Sequence, residues 1–158
     1  MKKFEYENSL GYIVYSASKA FQKAFDLELR DKIGINLTQS KVMFALYMFS
    51  GLTQRELADK IGVETPSLVP IIDKMEEDGY VKRKLDSKDR RLKRIYTTPK
   101  TDALWDSMMG CGLQIRKVSL NKVSEKEVKS ALETLKKITE NLSVYVDDFE
   151  IKDLKKPK

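Results

Sequence analysis

Nine basic side chains fall within residues 80–100: Lys82, Arg83, Lys84, Lys88, Arg90, Arg91, Lys93, Arg94 and Lys100. Only Asp86 and Asp89 oppose them, so the segment carries +7 while the whole 158-residue chain carries +6. The remainder sums to −1, and the excess charge is confined to this one stretch. Ammonium and guanidinium groups at that density neutralise phosphates, which is the electrostatic footprint of a polyanion partner. A merely solvated charged loop is the alternative reading of such a run. Other chemistry is poorly supplied. The absence of histidine removes the commonest general base and metal ligand. A single cysteine cannot close an intramolecular disulfide, fits a reducing cytoplasm, and leaves no donor set for an ordinary zinc site. No cofactor is expected, and no nucleophile–base pair can be assembled for an enzyme.

The length suits one domain with a real core, and 41% hydrophobic with 34% charged residues suits a soluble globular protein. The longest apolar run, Val42 to Phe49, is eight residues, too short for a bilayer. The N-terminus lacks the hydrophobic stretch of a signal peptide, so a cytoplasmic location and no membrane partner are expected.

Helices must position the basic run. Leu10, Ile13, Val14, Ala17, Phe21, Ala24 and Phe25 recur at three- and four-residue steps, predicting an amphipathic helix from Ser9 to Asp31. Gly34 suits its stop. Thr38 is the expected cap of a second, mostly apolar and hence buried helix, Gln39 to Phe49, ended by Ser50-Gly51. Thr53 to Glu56 reads as a capping box opening a short helix, Gln54 to Ile61, closed by Gly62. Thr65 as cap and Pro66 as first helical residue begin a fourth helix that ends at Gly79. Tyr80 to Leu85 and Lys93 to Thr97 read as strands around a charged turn. Thr98-Pro99 starts a fifth helix to about Asn121. Ser124 to Glu127 is another capping box, opening a last helix to Phe149, with a polar, frayed tail from Lys152. Val128, Ala131, Leu135, Ile138, Leu142, Tyr145 and Phe149 form an a/d seam along that helix.

A short helix, a glycine turn, a second helix and a basic hairpin make a winged helix-turn-helix. The second helix can enter a major groove and the hairpin can follow the backbone into an adjacent minor groove. The fold class is therefore α+β, mainly α-helical, with the DNA-binding lobe at 38–98 and helical segments 9–31 and 99–150 around it. Duplex DNA is the expected partner.

From Thr53 to Thr98 the chain resembles the MarR family of bacterial transcription regulators, nearest its SlyA branch. The carrying segments are Gln54-x-x-Leu57-Ala58, Pro66 to Val69, Leu68 to Gly79 and above all Asp89-Arg90-Arg91 followed by Lys93-Arg94-Ile95, with Thr38-Gln39 also matching. The resemblance implies a single MarR-like domain, a homodimer built from the first and last two helices, and a near-palindromic operator, more often repressed than activated. It implies that Asp89 holds a wing arginine and that Arg90 or Arg91 enters the minor groove. An exposed acid relieving local repulsion is the alternative role for Asp89. On this reading Thr38, Thr53, Gln54, Thr65, Ser67, Pro70, Lys74, Lys88, Asp89, Arg90, Arg91 and Lys93 face DNA. Relatives often carry an arginine where this chain has Pro70. A proline there loses one backbone bond and presses on the carbonyl of Pro66, costing about 3 kcal/mol in a regular helix. A distorted or tightened first turn and one missing base contact are expected.

Several aromatic side chains lie on helices expected to meet beside the lobe: Tyr12, Tyr15, Phe21, Phe25, Tyr47, Phe49 and Trp105. Relatives often bind small aromatic anions in such a cleft, with Tyr12, Tyr15, Tyr47 and Trp105 the candidates here; plain core packing is the competing reading. Cys111 is either a buried thiol or a redox sensor. Gly110 and Gly112 around it point to a close helix approach or a bend. The last seam either packs within its own subunit or joins a partner, with Leu10, Ile13, Val128, Leu135, Ile138, Leu142 and Tyr145 then at the dimer contact. A winged helix used only for protein assembly is the rival function, but it has no need of a +7 wing.

Overall fold

The computed structural model describes residues 6–154, and side-chain surroundings through Asp147. A short 3-10 helix (Tyr6–Asn8) precedes α1 (Leu10–Ile33), α2 (Leu37–Met48), β1 (Leu52–Thr53), α3 (Gln54–Ile61), α4 (Thr65–Glu77), β2 (Val81–Leu85) and β3 (Lys93–Thr97). Then come α5 (Pro99–Asp102), α6 (Trp105–Ser119) and α7 (Glu125–Leu154). The protein is mainly helical with one antiparallel sheet of order β1-β3-β2, the winged helix-turn-helix arrangement. Two compact units divide the chain, one up to Arg116 and one from Lys117.

The first unit holds one continuous core. Val42, Met43 and Leu46 of α2, Leu57 and Ala58 of α3, and Leu68, Ile72 and Met75 of α4 are buried together with Val81 and Ile95 of the sheet. Leu29 of α1 and Met108 and Cys111 of α6 join the same cluster. Full burial of each large side chain contributes about 1.5–3 kcal/mol, so α1 and α6 help hold α2, α3, α4 and the sheet together. The expectation that α2 is a buried helix holds for one face only. Phe44, Tyr47, Met48 and Phe49 are exposed, because only one face of α2 meets the core.

Helix ends explain most of the boundary differences. Asn36, not Thr38, caps α2: its side chain accepts the Gln39 N–H at 2.9 Å while Gln39 accepts the Asn36 N–H at 2.8 Å. Thr38 is therefore a helical residue. Asp26 of α1 accepts the Leu37 N–H at 2.7 Å and pairs with Arg30, and these contacts hold its carboxyl below the usual range. Gly34 stops α1 with φ of +70°, where a Cβ would be strained. The expected fifth helix is two: Pro99–Asp102 and Trp105–Ser119. A Cβ at Gly110 or Gly112 would meet nothing within 4 Å, so no close approach within the described residues accounts for them.

In the second unit, Ser124 and Glu127 form the predicted capping box, with the Ser124 N–H donating to Glu127 at 2.8 Å. Helix α7 extends to Leu154, past the expected end. Leu135, Leu142 and Tyr145 are exposed, and Val128 and Ile138 are half-buried. The Phe149 side chain and the tail 155–158 lie outside the described residues.

Candidate nucleic-acid interface

Helix α3 is built by the capping box its sequence announces. The Thr53 N–H donates to Glu56 Oε2 at 2.7 Å and the Glu56 N–H donates to Thr53 Oγ1 at 3.3 Å. The Thr53 N–H and hydroxyl hold the Glu56 carboxyl below its usual pKa. Gly62 then turns the chain at φ of +71°. Glu64, not Thr65, occupies the cap of α4 and makes no side-chain bond there; Thr65 and Pro66 are the first two helical residues. The Glu64 carbonyl accepts both the Ser67 N–H at 3.0 Å and the Leu68 N–H at 3.3 Å, a tightened start. Pro70 sits inside α4, yet the helix runs unbroken to Glu77. Its lost bond falls in the first turns, and complete burial of Leu68, Ile72 and Met75 holds the rod in place.

The wing is a ladder from Val81 opposite Thr97 to Leu85 opposite Lys93. Asp86 organises its turn. Its carboxylate accepts the N–H of Lys88 at 2.7 Å and of Asp89 at 2.9 Å, and pairs with Arg94 Nε. Arg94 first, then those two N–H groups, hold Asp86 at a pKa of about 2. Asp89 grips Arg91 with both oxygens, at 3.0 Å each, and accepts the Arg91 N–H at 3.0 Å. The Arg91 side chain nevertheless remains 90% exposed.

Two arginines of the basic run serve the fold, and the sequence reading missed that. Arg83, only 18% exposed, reaches Glu76 at 2.5 Å, Asp73 at 2.6 Å and Gln54 at 3.4 Å. It ties the wing to α4 and to the start of α3. Arg94 bonds Asp86, the Gly51 carbonyl at 2.7 Å and, more loosely, Glu56 at 3.6 Å. Strand β1, also unforeseen, lies beside it, with Thr53 opposite Arg94. Lys82, Lys84, Lys88, Arg90 and Lys93 carry no ion pair among the described residues. Gln54 and Lys93 line one polar groove of about 550 Å³ with Arg83, Lys84, Asp73 and Glu76; Thr38 does not line it. Lys74 is exposed and paired with Glu77 at 3.1 Å and Asp78 at 3.0 Å.

A helix-turn-helix braced by a basic wing is the signature that the family comparison tests. The MarR family model matches residues 35–93, the span from the residue before the cap of α2 to the start of β3. The solved transcriptional regulator PA3341 is 31% identical, with a TM-score of 0.73, over 85% of this chain and 98% of its own. The chain belongs to the MarR family. A MarR transcriptional regulator from Methanosarcina mazei Go1 shares the fold at 23% identity and a TM-score of 0.74, over 85% of this chain and 97% of that one. So does BpsR of Bordetella bronchiseptica, at 17% identity and a TM-score of 0.75, over 87% and 97%; 6-hydroxynicotinic acid regulates its DNA binding.

This MarR protein also has an apolar cleft of about 570 Å³ in its first unit. Phe25, Phe44, Phe49, Met108 and Met109 line it, and Lys41 and Lys60 supply charge. Lys60 Nζ sits 3.8 Å from the Phe49 ring centre. Of the expected ligand residues, Tyr47 and Trp105 stack at 3.9 Å; Phe44 stacks on Trp105 at 5.8 Å and links that stack to the cleft, which neither Tyr47 nor Trp105 lines. Tyr12 packs on Tyr6 at 5.0 Å, and Tyr15 is exposed; neither lines the cleft. Cys111 is buried, and burial pushes its thiol pKa up, the reverse of a reactive sensor.

Proposed function

We propose that this MarR-family protein regulates transcription as a homodimer bound to a near-palindromic duplex operator. The observation that carries the reading is the charge of the basic run: after Arg83, Arg91 and Arg94 are paired, six of its nine cations, Lys82, Lys84, Lys88, Arg90, Lys93 and Lys100, stay without an ion pair among the described residues. Phosphate neutralisation by these groups supplies affinity, and α4 supplies sequence choice. The exposed apolar residues Leu10 and Ile13 of α1, and Leu135, Leu142 and Tyr145 of α7, support a partner copy, since apolar surface on that scale calls for a cover. Two copies give two recognition helices about one DNA turn apart. Repression by covering a promoter follows from such a footprint. Asp89-Arg90-Arg91 and Lys93-Arg94-Ile95 support the SlyA branch as the nearest part of the family. Its work is binding in the cytoplasm, not catalysis.

The cleft beside α3 suits a small planar aromatic anion, its ring among Phe25, Phe44 and Phe49 and its charge toward Lys41 or Lys60. The regulation of BpsR by 6-hydroxynicotinic acid supports that ligand class. The test of the main reading is filter retention of genomic DNA fragments at two salt concentrations. Retention that falls steeply with salt is expected. Failure to retain duplex of any composition at low salt overturns the proposal.

A further inference from the structure

We propose that the recognition helix selects its operator through thymine C5-methyl groups, met by an apolar patch of Pro66, Val69 and Pro70. The inference rests on the DNA-binding reading above and names what α4 reads. Pro66, Val69 and Pro70 stand at i, i+3 and i+4, which makes them neighbours on one helix face. All three are exposed, while Leu68, Ile72 and Met75 turn into the core. Helix α4 contains no arginine, asparagine or glutamine. Lys74 apart, it therefore lacks the side chains that clasp guanine or adenine with two bonds. Its one cation, Lys74, already bridges Glu77 and Asp78. Further along the same face, Asp73 is taken by Arg83 at 2.6 Å.

What remains at the leading end is three apolar side chains and the hydroxyls of Thr65 and Ser67. In the major groove the apolar feature of the base edges is the thymine methyl. Apolar groups set against base amines and carbonyls would strip water from polar atoms and return no bond. Set against methyls, they gain contact area instead. Prolines add to this because their rings have almost no rotamer freedom to lose on contact. The occupant is fixed by charge: the patch is carried on the same unit as Lys88, Arg90 and Lys93, which suit a phosphate backbone and not an apolar protein surface.

The experiment starts from a duplex retained by the full-length protein. The same duplex is made with deoxyuridine in place of thymidine, which removes only the methyls. Affinity should fall about threefold to fourfold for each methyl met, as expected for one buried carbon, with the salt slope unchanged. Val69→Ala should bring the thymine-to-uracil ratio toward one. Pro70→Ala should do the same while making the helix more regular, so lost folding cannot explain it. Equal binding of the thymine and uracil duplexes overturns the proposal. A protein that retains no duplex at all fails the underlying DNA reading first, and this one with it.

Discussion

Arg83 and Glu76 are joined twice: the Arg83 N–H donates to Glu76 Oε1 at 2.8 Å and its guanidinium donates to Oε2 at 2.5 Å. The backbone bond fixes where β2 leaves the helix, and the side-chain bond fixes how the wing leans on it. The positions of the wing and of α4 are thus one variable. The N–H of Arg83, more than its guanidinium, holds Glu76 below the usual carboxylate range.

Breaking this joint should loosen the wing without unfolding the core. Arg83→Met removes three charge-assisted contacts and should cost about 1–3 kcal/mol in urea denaturation. Glu76→Gln keeps an acceptor for the backbone N–H and should cost less. Equal midpoints for the two variants and the wild type would contradict the role given to Arg83.

Asp86 sets an acid limit. Its folded pKa, about 2, lies below the ordinary 3.8, so the unfolded chain binds more protons in between. The stabilisation is full above the unfolded value and is lost as pH falls through the folded one. Asp86→Asn should therefore differ most from wild type at pH 6–7 and converge with it near the folded pKa of about 2. Urea midpoints across that range measure it; a constant gap would speak against the pair with Arg94.

Gly51 has φ of +77°, and a Cβ there would lie 3.0 Å from the Tyr96 hydroxyl. Gly51→Ala should destabilise the fold by roughly 1–2 kcal/mol from backbone strain alone. Adding Tyr96→Ala, which removes the hydroxyl at 3.0 Å and the ring carbons at 3.1 and 3.2 Å, should relieve the contact with the new Cβ and leave the backbone strain, as read by comparing thermal melts with those of Tyr96→Ala alone.

Unpaired wing cations should appear in the salt dependence of DNA binding. Each of Lys88→Ala, Arg90→Ala and Lys93→Ala should lower the slope of log K against log salt by about 0.9. Arg91→Ala should act similarly, because its exposed pair with Asp89 is worth little. An unchanged slope when Lys88→Ala, Arg90→Ala and Lys93→Ala are combined in one protein would remove the wing from the phosphate contact.

The sole tryptophan reports on the cleft. Trp105 stacks on Tyr47 and Phe44, and Phe44 also lines the cleft. Titration with 6-hydroxynicotinic acid should change Trp105 emission, and Lys60→Ala should weaken that ligand about tenfold through the lost charge-assisted contact. A Lys60→Ala protein with unaltered affinity would place the anion elsewhere.

Local chemistry decides what could be seen before folding. The Thr53–Glu56 and Ser124–Glu127 boxes were legible because both partners lie three residues apart, and Gly34 and Gly62 because only a positive φ ends those helices so sharply. Asn36 and Gln39 form the same kind of box; Thr38 beside them is an equally good cap by type, and only backbone geometry separates the two. The basic run and the helix-turn-helix rhythm likewise follow from residue order, since charge and apolar spacing are written along the chain.

Tertiary structure alone sorted the basic residues into braces and free cations. Arg83 meets Asp73 and Glu76 only after α4 and the hairpin have folded back on each other, and Arg94 meets Asp86 only once the hairpin has closed and Gly51 only once β1 lies beside β3. The same holds for β1, two residues long, which exists because β3 offers it an edge. It holds too for the exposed half of α2, which is as apolar as the buried half. Sequence states which groups a chain owns; which of them cancel each other depends on distances of a few ångströms between segments far apart in order, and those are set by packing.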